Sequence, residues 1–187
     1  LPKVLIPVLG RPMIRYVIDA LRAGGVGRMV VIVGYRAELV QKELQNEPDV
    51  EFAEQREQLG TGHAVRMARE ALADHDGPVL VVAGDSPMLQ GESVARLLAE
   101  YERGKPACIL GTGYKPDPHG LGRIVRDKNR AFQKIVEERD ATDEERAITE
   151  VNLSCYVFDR AALFAALDGL RPQNAQGEYY LTDCPGI

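Results

Sequence analysis

The sequence predicts an α/β fold, a mostly parallel sheet with helices on both faces that continues into a small hairpin-containing lobe. Three observations point there. Through residue 112, short and continuously apolar runs alternate with stretches of helical periodicity, the pattern of repeated βα units. Pro78 to Val82 is apolar without interruption and rich in β-branched residues, as a strand covered on both faces requires. From Gly113 the alternation yields to glycines, prolines and short hairpin-like runs.

Taken in order, Lys3 to Pro7 opens the chain and a Gly-Arg-Pro turn follows. Ile14, Val17, Ile18 and Leu21 then recur at i, i+3, i+4 and i+7 on a helix begun near Pro12 and ended by Gly24 and Gly25. Met29 to Val33 reads as a strand, Ala37 to Leu44 as a helix and Val50 to Ala53 as a short strand. A helix is predicted over Gly62 to Leu72, with Ala64, Met67, Ala68, Ala71 and Leu72 inward. After the strand at Pro78 come a helix over Glu92 to Tyr101 and a strand over Ala107 to Thr112. Arg123 to Arg126 and Ala131 to Glu137 form a hairpin that turns at Asp127 to Arg130. Glu137 to Glu150 is a charged helix or loop, Leu153 to Phe158 a strand, Arg160 to Leu167 a helix and Arg171 to Gly177 a polar loop. The sum is a single Rossmann-like domain over 1–187, with 113–187 as a lobe packed against the sheet built by 1–112.

A chain of 187 residues with 45% hydrophobic content supplies one well-filled core and is short for two. The net charge of −5 and pI near 5.3, with no basic cluster, argue against nucleic-acid binding. No apolar run approaches the roughly 18 residues of a membrane span, so no membrane partner is expected. Cys108, Cys155 and Cys184 are odd in number and set in apolar surroundings, which suits buried thiols in a reducing cytoplasm. The start at Leu1-Pro2-Lys3, with no initiator Met, suggests a piece of a longer polypeptide. Homo-oligomer formation stays open, and Ala141 to Ile148 reads as a partner surface or a solvated charged face.

Asp85 stands on the first turn after a central strand, where open α/β sheets hold substrates and metal ions. The alternative is an Asx-turn or a cap for the helix after Pro87. Gln58-Leu59-Gly60-Thr61-Gly62-His63-Ala64 opens a helix with bare backbone amides that can approach a ligand, or it is simply a tight connection. Gln55 can read a base edge through its amide or be an ordinary loop residue. His63, in a first helical turn where positive charge is disfavoured, is expected to make a structural hydrogen bond. Lys3 holds a phosphate or is an exposed lysine. Glu137 and Asn152, at two strand ends, suit a sugar's hydroxyl and acetamido groups, although Asn152 could equally satisfy local backbone.

Together these motifs resemble the sugar-1-phosphate nucleotidyltransferases. Leu1 to Leu5, Gln55, Gln58 to Ala64, Gly84-Asp85, Gly120-Leu121-Gly122-Arg123-Ile124, Ile135 to Glu137, Glu150 to Asn152 and Asn174 to Asp183 occur in the family's order. The pattern is most similar to the N-acetylglucosamine-1-phosphate uridyltransferase domain of bacterial bifunctional enzymes, and it covers nearly the whole chain. The resemblance implies a nucleotide-diphospho-sugar transferase fold, with 1–112 binding nucleotide and 113–187 binding sugar. The implied reaction joins UTP and N-acetylglucosamine 1-phosphate into UDP-N-acetylglucosamine, a peptidoglycan precursor, and releases pyrophosphate. It assigns the uracil to Gln55 and Gly60, with Thr61 beside the nucleotide. Ala83, where the family often has Tyr, and Gly84 line the nucleoside pocket. Mg²⁺ goes to Asp85, phosphate charge to Lys3, and the sugar to Gly122, Glu137 and Asn152. The family's glycine-rich loop and first central strand are expected before Leu1, and a second metal-binding Asn after Ile187. Little activity is therefore expected of this stretch alone, and unpaired strand edges are expected within it. Two other readings remain: a related nucleotidyltransferase for another sugar 1-phosphate or NTP, and a non-catalytic sugar-nucleotide-binding module.

Overall fold

The computed structural model describes residues 1–187. Strands β1 (Pro7–Val8) and β2 (Arg11–Pro12) precede helix α1 (Met13–Ala23). Then come β3 (Met29–Val33), α2 (Ala37–Leu44), β4 (Val50–Glu54), α3 (Thr61–Arg66), β5 (Pro78–Val82) and α4 (Gly91–Gly104). The later half holds β6 (Cys108–Tyr114), β7 (Arg123–Arg126), β8 (Phe132–Val136), α5 (Asp143–Arg146), β9 (Glu150–Asp159) and α6 (Arg160–Gly169). Short 3₁₀ turns occupy Lys3–Leu5 and Leu181–Gly186.

The side chains of β5 show how the layers are built. Val79 and Val81 pack into one core with Phe158, Leu163 and Leu167, whereas Leu80 and Val82 pack into a second with Ile14, Val17, Ile18 and Val94. Successive strand residues point to opposite faces, so both faces of the sheet are covered, and the expected α/β arrangement is present. β3 and β4 pair in parallel, from Met29 opposite Val50 to Val33 opposite Glu54. The other ladders are antiparallel because β9 returns into the sheet. It lies between β5 and β6, and β7 joins it through Arg123 opposite Val151. β5 of the first half thus shares one five-stranded sheet with β6, β7, β8 and β9.

β3 and β5 run in the same direction. Arg28, at the start of β3, donates to the Ala71 carbonyl and pairs with Asp74, close to where β5 begins. Lys3, Gly34, Ala83 and Gly84 line the opposite end. The two strands do not hydrogen-bond to each other, and each is paired on one side only, β3 with β4 and β5 with β9. Between them lies a cavity of about 760 Å³ that extends to Glu137 and Thr182.

Several details depart from the sequence reading. The Gly-Arg-Pro turn belongs to a two-stranded hairpin whose tip, Leu9 and Gly10, takes positive φ of 49° and 81°. The helix predicted to Leu72 ends at Arg66, where the amides of Met67, Ala68 and Arg69 shift to carbonyls three residues back, the tighter 3₁₀ pattern. The charged stretch after Glu137 holds α5, started by a capping box in which Thr142 and Glu145 bond each other's backbone amides. No helix is long and apolar enough to cross a membrane. Cys155 and Cys184 are buried and Cys108 half-buried, all free thiols, and burial pushes their pKa values up to about 11, 12 and 12 respectively.

Candidate nucleotide-sugar site

At the end of β5 the chain turns out through Ala83-Gly84-Asp85. A side chain at Gly84 would meet Val4 Cγ1 at 3.3 Å, so glycine there lets the Lys3–Leu5 turn pack close. That packing brings Lys3 Nζ to 2.6 Å from Asp85 Oδ2. Asp85 does not cap the next helix, because α4 begins at Gly91 with Gln90 as its N-cap.

The Gly60 turn is fixed from two sides. Gln55 Nε2 donates to the Gly60 carbonyl at 3.1 Å and lies 3.0 Å from His63 Nδ1. This gives His63 the structural hydrogen bond its position suggested. On the other side, the Gly62 amide donates to the Tyr179 carbonyl and the Tyr179 amide to the Leu59 carbonyl, both at 2.8 Å. Gly60 has φ of 107°, and a Cβ there would come within 2.6 Å of the Tyr179 carbonyl oxygen. Only glycine supports both the backbone angle and the close approach.

The segment Tyr179–Thr182 continues across to the later lobe as a strap. The Leu181 amide donates to Thr61 Oγ1 at 3.0 Å, and the Thr182 hydroxyl donates to Glu137 Oε1 at 3.0 Å. Glu137 follows directly on the hairpin strand β8, and its other carboxylate oxygen lies 3.6 Å from where a Cβ on Gly122 would stand. The same position lies 3.6 Å from Asn152 Cβ, and the Asn152 amide donates to the Gly122 carbonyl at 2.9 Å. Burial pushes the Glu137 carboxyl above the ordinary range; the Thr182 bond opposes that, while Asp140 and Asp183 reinforce it. Burial likewise raises Tyr156, to about 12.

The sequence-predicted residues therefore fall into three contacting groups. Lys3 meets Asp85; Gln55, Gly60 and Thr61 share one turn; Gly122, Glu137 and Asn152 adjoin one another. Lys3, Thr61, Ala83, Gly84, Glu137 and Thr182 line the same cavity. Asn152 is buried and committed within its own strand, donating from Nδ2 to the Tyr156 hydroxyl at 2.6 Å and accepting the Ser154 amide at 3.1 Å. This is the local backbone role weighed as its alternative. Thr182 had no role from sequence reasoning, although the Tyr-Tyr-Leu-Thr-Asp run was recognised as a motif.

For a metal ion the donor set is small. No group of three or more His, Cys, Asp or Glu side chains converges on one point. Mg²⁺ is commonly held by one or two carboxylates together with waters and substrate phosphates, and Asp85 with a bound phosphate fits that pattern.

A family model described as the MobA-like NTP transferase domain matches residues 2–177. The chain belongs to that family. Its resemblance to the sugar-1-phosphate nucleotidyltransferases extends to curated relatives. It is 47% identical over 187 residues to the bifunctional protein GlmU of Streptococcus mutans, covering 100% of this chain and 40% of that protein. It is 45% identical over 181 residues to the bifunctional protein GlmU of Bacillus subtilis, covering 97% and 39% respectively. The chain thus spans about 40% of the length of these relatives. Among solved structures, UDP-glucose pyrophosphorylase complexed with UDP-glucose superposes with a TM-score of 0.76 at 15% identity, over 99% of this chain and 77% of that one. Apo UDP-glucose pyrophosphorylase superposes at 0.74 with 15% identity, over 100% and 78%. These likenesses identify the fold as that of the nucleotide-diphospho-sugar transferases.

Proposed function

We propose that this chain is the uridylyl-transferring part of an enzyme that makes UDP-N-acetylglucosamine and pyrophosphate from UTP and N-acetylglucosamine 1-phosphate. The observation that carries this reading is the Lys3–Asp85 contact at the turn that follows β5, the kind of strand end where open α/β sheets hold their ligands. A cation and a carboxylate side by side at a strand end suit a phosphate chain, and a half-buried carboxylate with a hydroxyl beside it suits a sugar.

In this reading the sugar phosphate attacks the α-phosphorus of UTP and pyrophosphate leaves. The nucleophile already carries negative charge, so the work is alignment and neutralisation, and no general base is needed. Lys3 neutralises phosphate oxygens as they approach. Asp85 would hold Mg²⁺, which supplies further positive charge to the phosphates. Gln55 and Gly60 read the uracil, Thr61 lies beside the nucleotide, and Ala83 and Gly84 line the nucleoside pocket. Gly122, Glu137 and Asn152 receive the N-acetylglucosamine, with Asn152 shaping the wall through its own-strand bonds.

The test is pyrophosphate release by the full-length protein that carries this stretch, with UTP, Mg²⁺ and a panel of sugar 1-phosphates, repeated with dTTP and CTP. Preference for UTP with N-acetylglucosamine 1-phosphate is expected. Preference for another pair would overturn the substrate assignment.

A further inference from the structure

We infer that Thr182 is a positioning residue for the sugar end of the site: its hydroxyl holds one oxygen of Glu137 so that the other is presented beside Gly122. The inference rests on the reading of Glu137 as a sugar ligand. Thr182 is 7% exposed, and its Oγ1 donates to Glu137 Oε1 at 3.0 Å. Oε2 lies 3.6 Å from the Cβ position that Gly122 leaves empty. The two carboxylate oxygens are thereby given different tasks, one held by Thr182 and the other set beside Gly122, whose missing side chain would otherwise crowd Ile135 Cγ2 at 3.1 Å.

Thr182 has little freedom to move. Its strap is bonded at Gly62 to Tyr179, at Tyr179 to Leu59 and at Leu181 to Thr61, so it is anchored along the whole glycine turn. The hydroxyl is therefore delivered to Glu137 by the element that frames the nucleotide turn.

The surroundings make this bond consequential. Asp140, Asp183, Tyr156 and Tyr180 face Glu137, and none supplies positive charge. Lys134, on the same strand, is turned to Glu145 at 2.8 Å. The Thr182 hydroxyl is what favours the ionised carboxylate, the form whose free oxygen can only accept and so suits a sugar hydroxyl. Without it Glu137 takes up a proton more readily and loses its fixed orientation.

The experiment compares binding of UDP-N-acetylglucosamine with binding of UDP, by calorimetry across pH, in the full chain. The wild type should prefer the sugar nucleotide. Thr182→Val, nearly the same shape without the hydroxyl, should lose about tenfold of that preference, as one hydrogen bond to a charged group is worth. Its UDP affinity should not change, and the pH midpoint for sugar recognition should move upward. Thr182→Ser should restore both. Added to Glu137→Gln, Thr182→Val should cause no further loss. Unchanged preference and midpoint in Thr182→Val, or equal loss for both ligands that Ser does not rescue, would overturn the inference alone. No preference in the wild type would overturn the reading of Glu137 and the inference with it.

Discussion

The Lys3 ammonium sits 2.6 Å from the Asp85 carboxylate, so the two charges that would meet a triphosphate and its metal neutralise each other in the free protein. The lysine side chain is 73% exposed, and an exposed ion pair of this kind contributes little stability. Lys3 can leave Asp85 for a phosphate at small cost. Lys3→Met should therefore lower turnover about a hundredfold, the scale of one lost charge-stabilising donor, with little change in melting temperature. Pyrophosphate release checks it; turnover near the wild-type value would show that Lys3 does not touch the reacting phosphates.

Gly60→Ala should fail for two reasons at once. The Cβ would stand 2.6 Å from the Tyr179 carbonyl oxygen, and φ of 107° is strained for any other residue. A loss of about 1–3 kcal/mol is expected, read from urea unfolding, together with weakened nucleotide binding as the strap moves. Unfolding that matches the wild type would contradict the tight approach.

Arg126 holds Glu150 in a two-pronged contact, at 2.8 and 2.7 Å, and the Glu150 carboxyl lies below its ordinary value, with Arg126 the largest cause. A lowered folded-state pKa means that this pair contributes stability above the unfolded-state value near 4.5, and that the contribution disappears as pH falls through the folded value. Glu150→Gln should flatten the acid limb of the stability curve below about pH 5, where the unfolded-state carboxylate begins to take up its proton. An unchanged slope would remove Glu150 from the account.

The facing edges of β3 and β5 are open, whereas β9 is paired on both sides. Hydrogen exchange should follow that difference. Amides of β3 and β5 that face the cavity should exchange far faster than the amides of Tyr156, Val157 and Phe158. Equal protection would mean that the cavity is closed in solution.

The sequence showed most where local physics decides the outcome. The continuous apolar runs at Met29 and Pro78 announced strands covered on both faces, and the pairing of Arg123–Arg126 with a second strand after an Asp127 turn announced the hairpin. The Gly60 turn was visible because two glycines open directly into a helical pattern, although the pattern alone left a ligand loop and a tight connection as alternatives. What could not be read were contacts between distant positions. The Thr182–Glu137 bond joins residues 45 apart in the chain, and the Leu181–Thr61 bond residues 120 apart, and neither leaves a periodic trace. β9 looked like one more strand at the end of the chain, yet its place between β5 and β6 is set by tertiary pairing. The local bonding of Asn152 was legible as one of two alternatives, because its partners Ser154 and Tyr156 lie only two and four residues further along the chain.

The central claim is that Asp85 serves chemistry and not merely binding, and Asp85→Asn tests it most directly. Pyrophosphate release and UTP affinity would be measured on the same preparation, with Mg²⁺ present. Turnover should fall by about a hundredfold or more while UTP affinity stays within a few-fold of the wild type. Turnover at the wild-type level, or a loss no larger than the loss in affinity, would contradict the account and leave a sugar-nucleotide-binding module in its place.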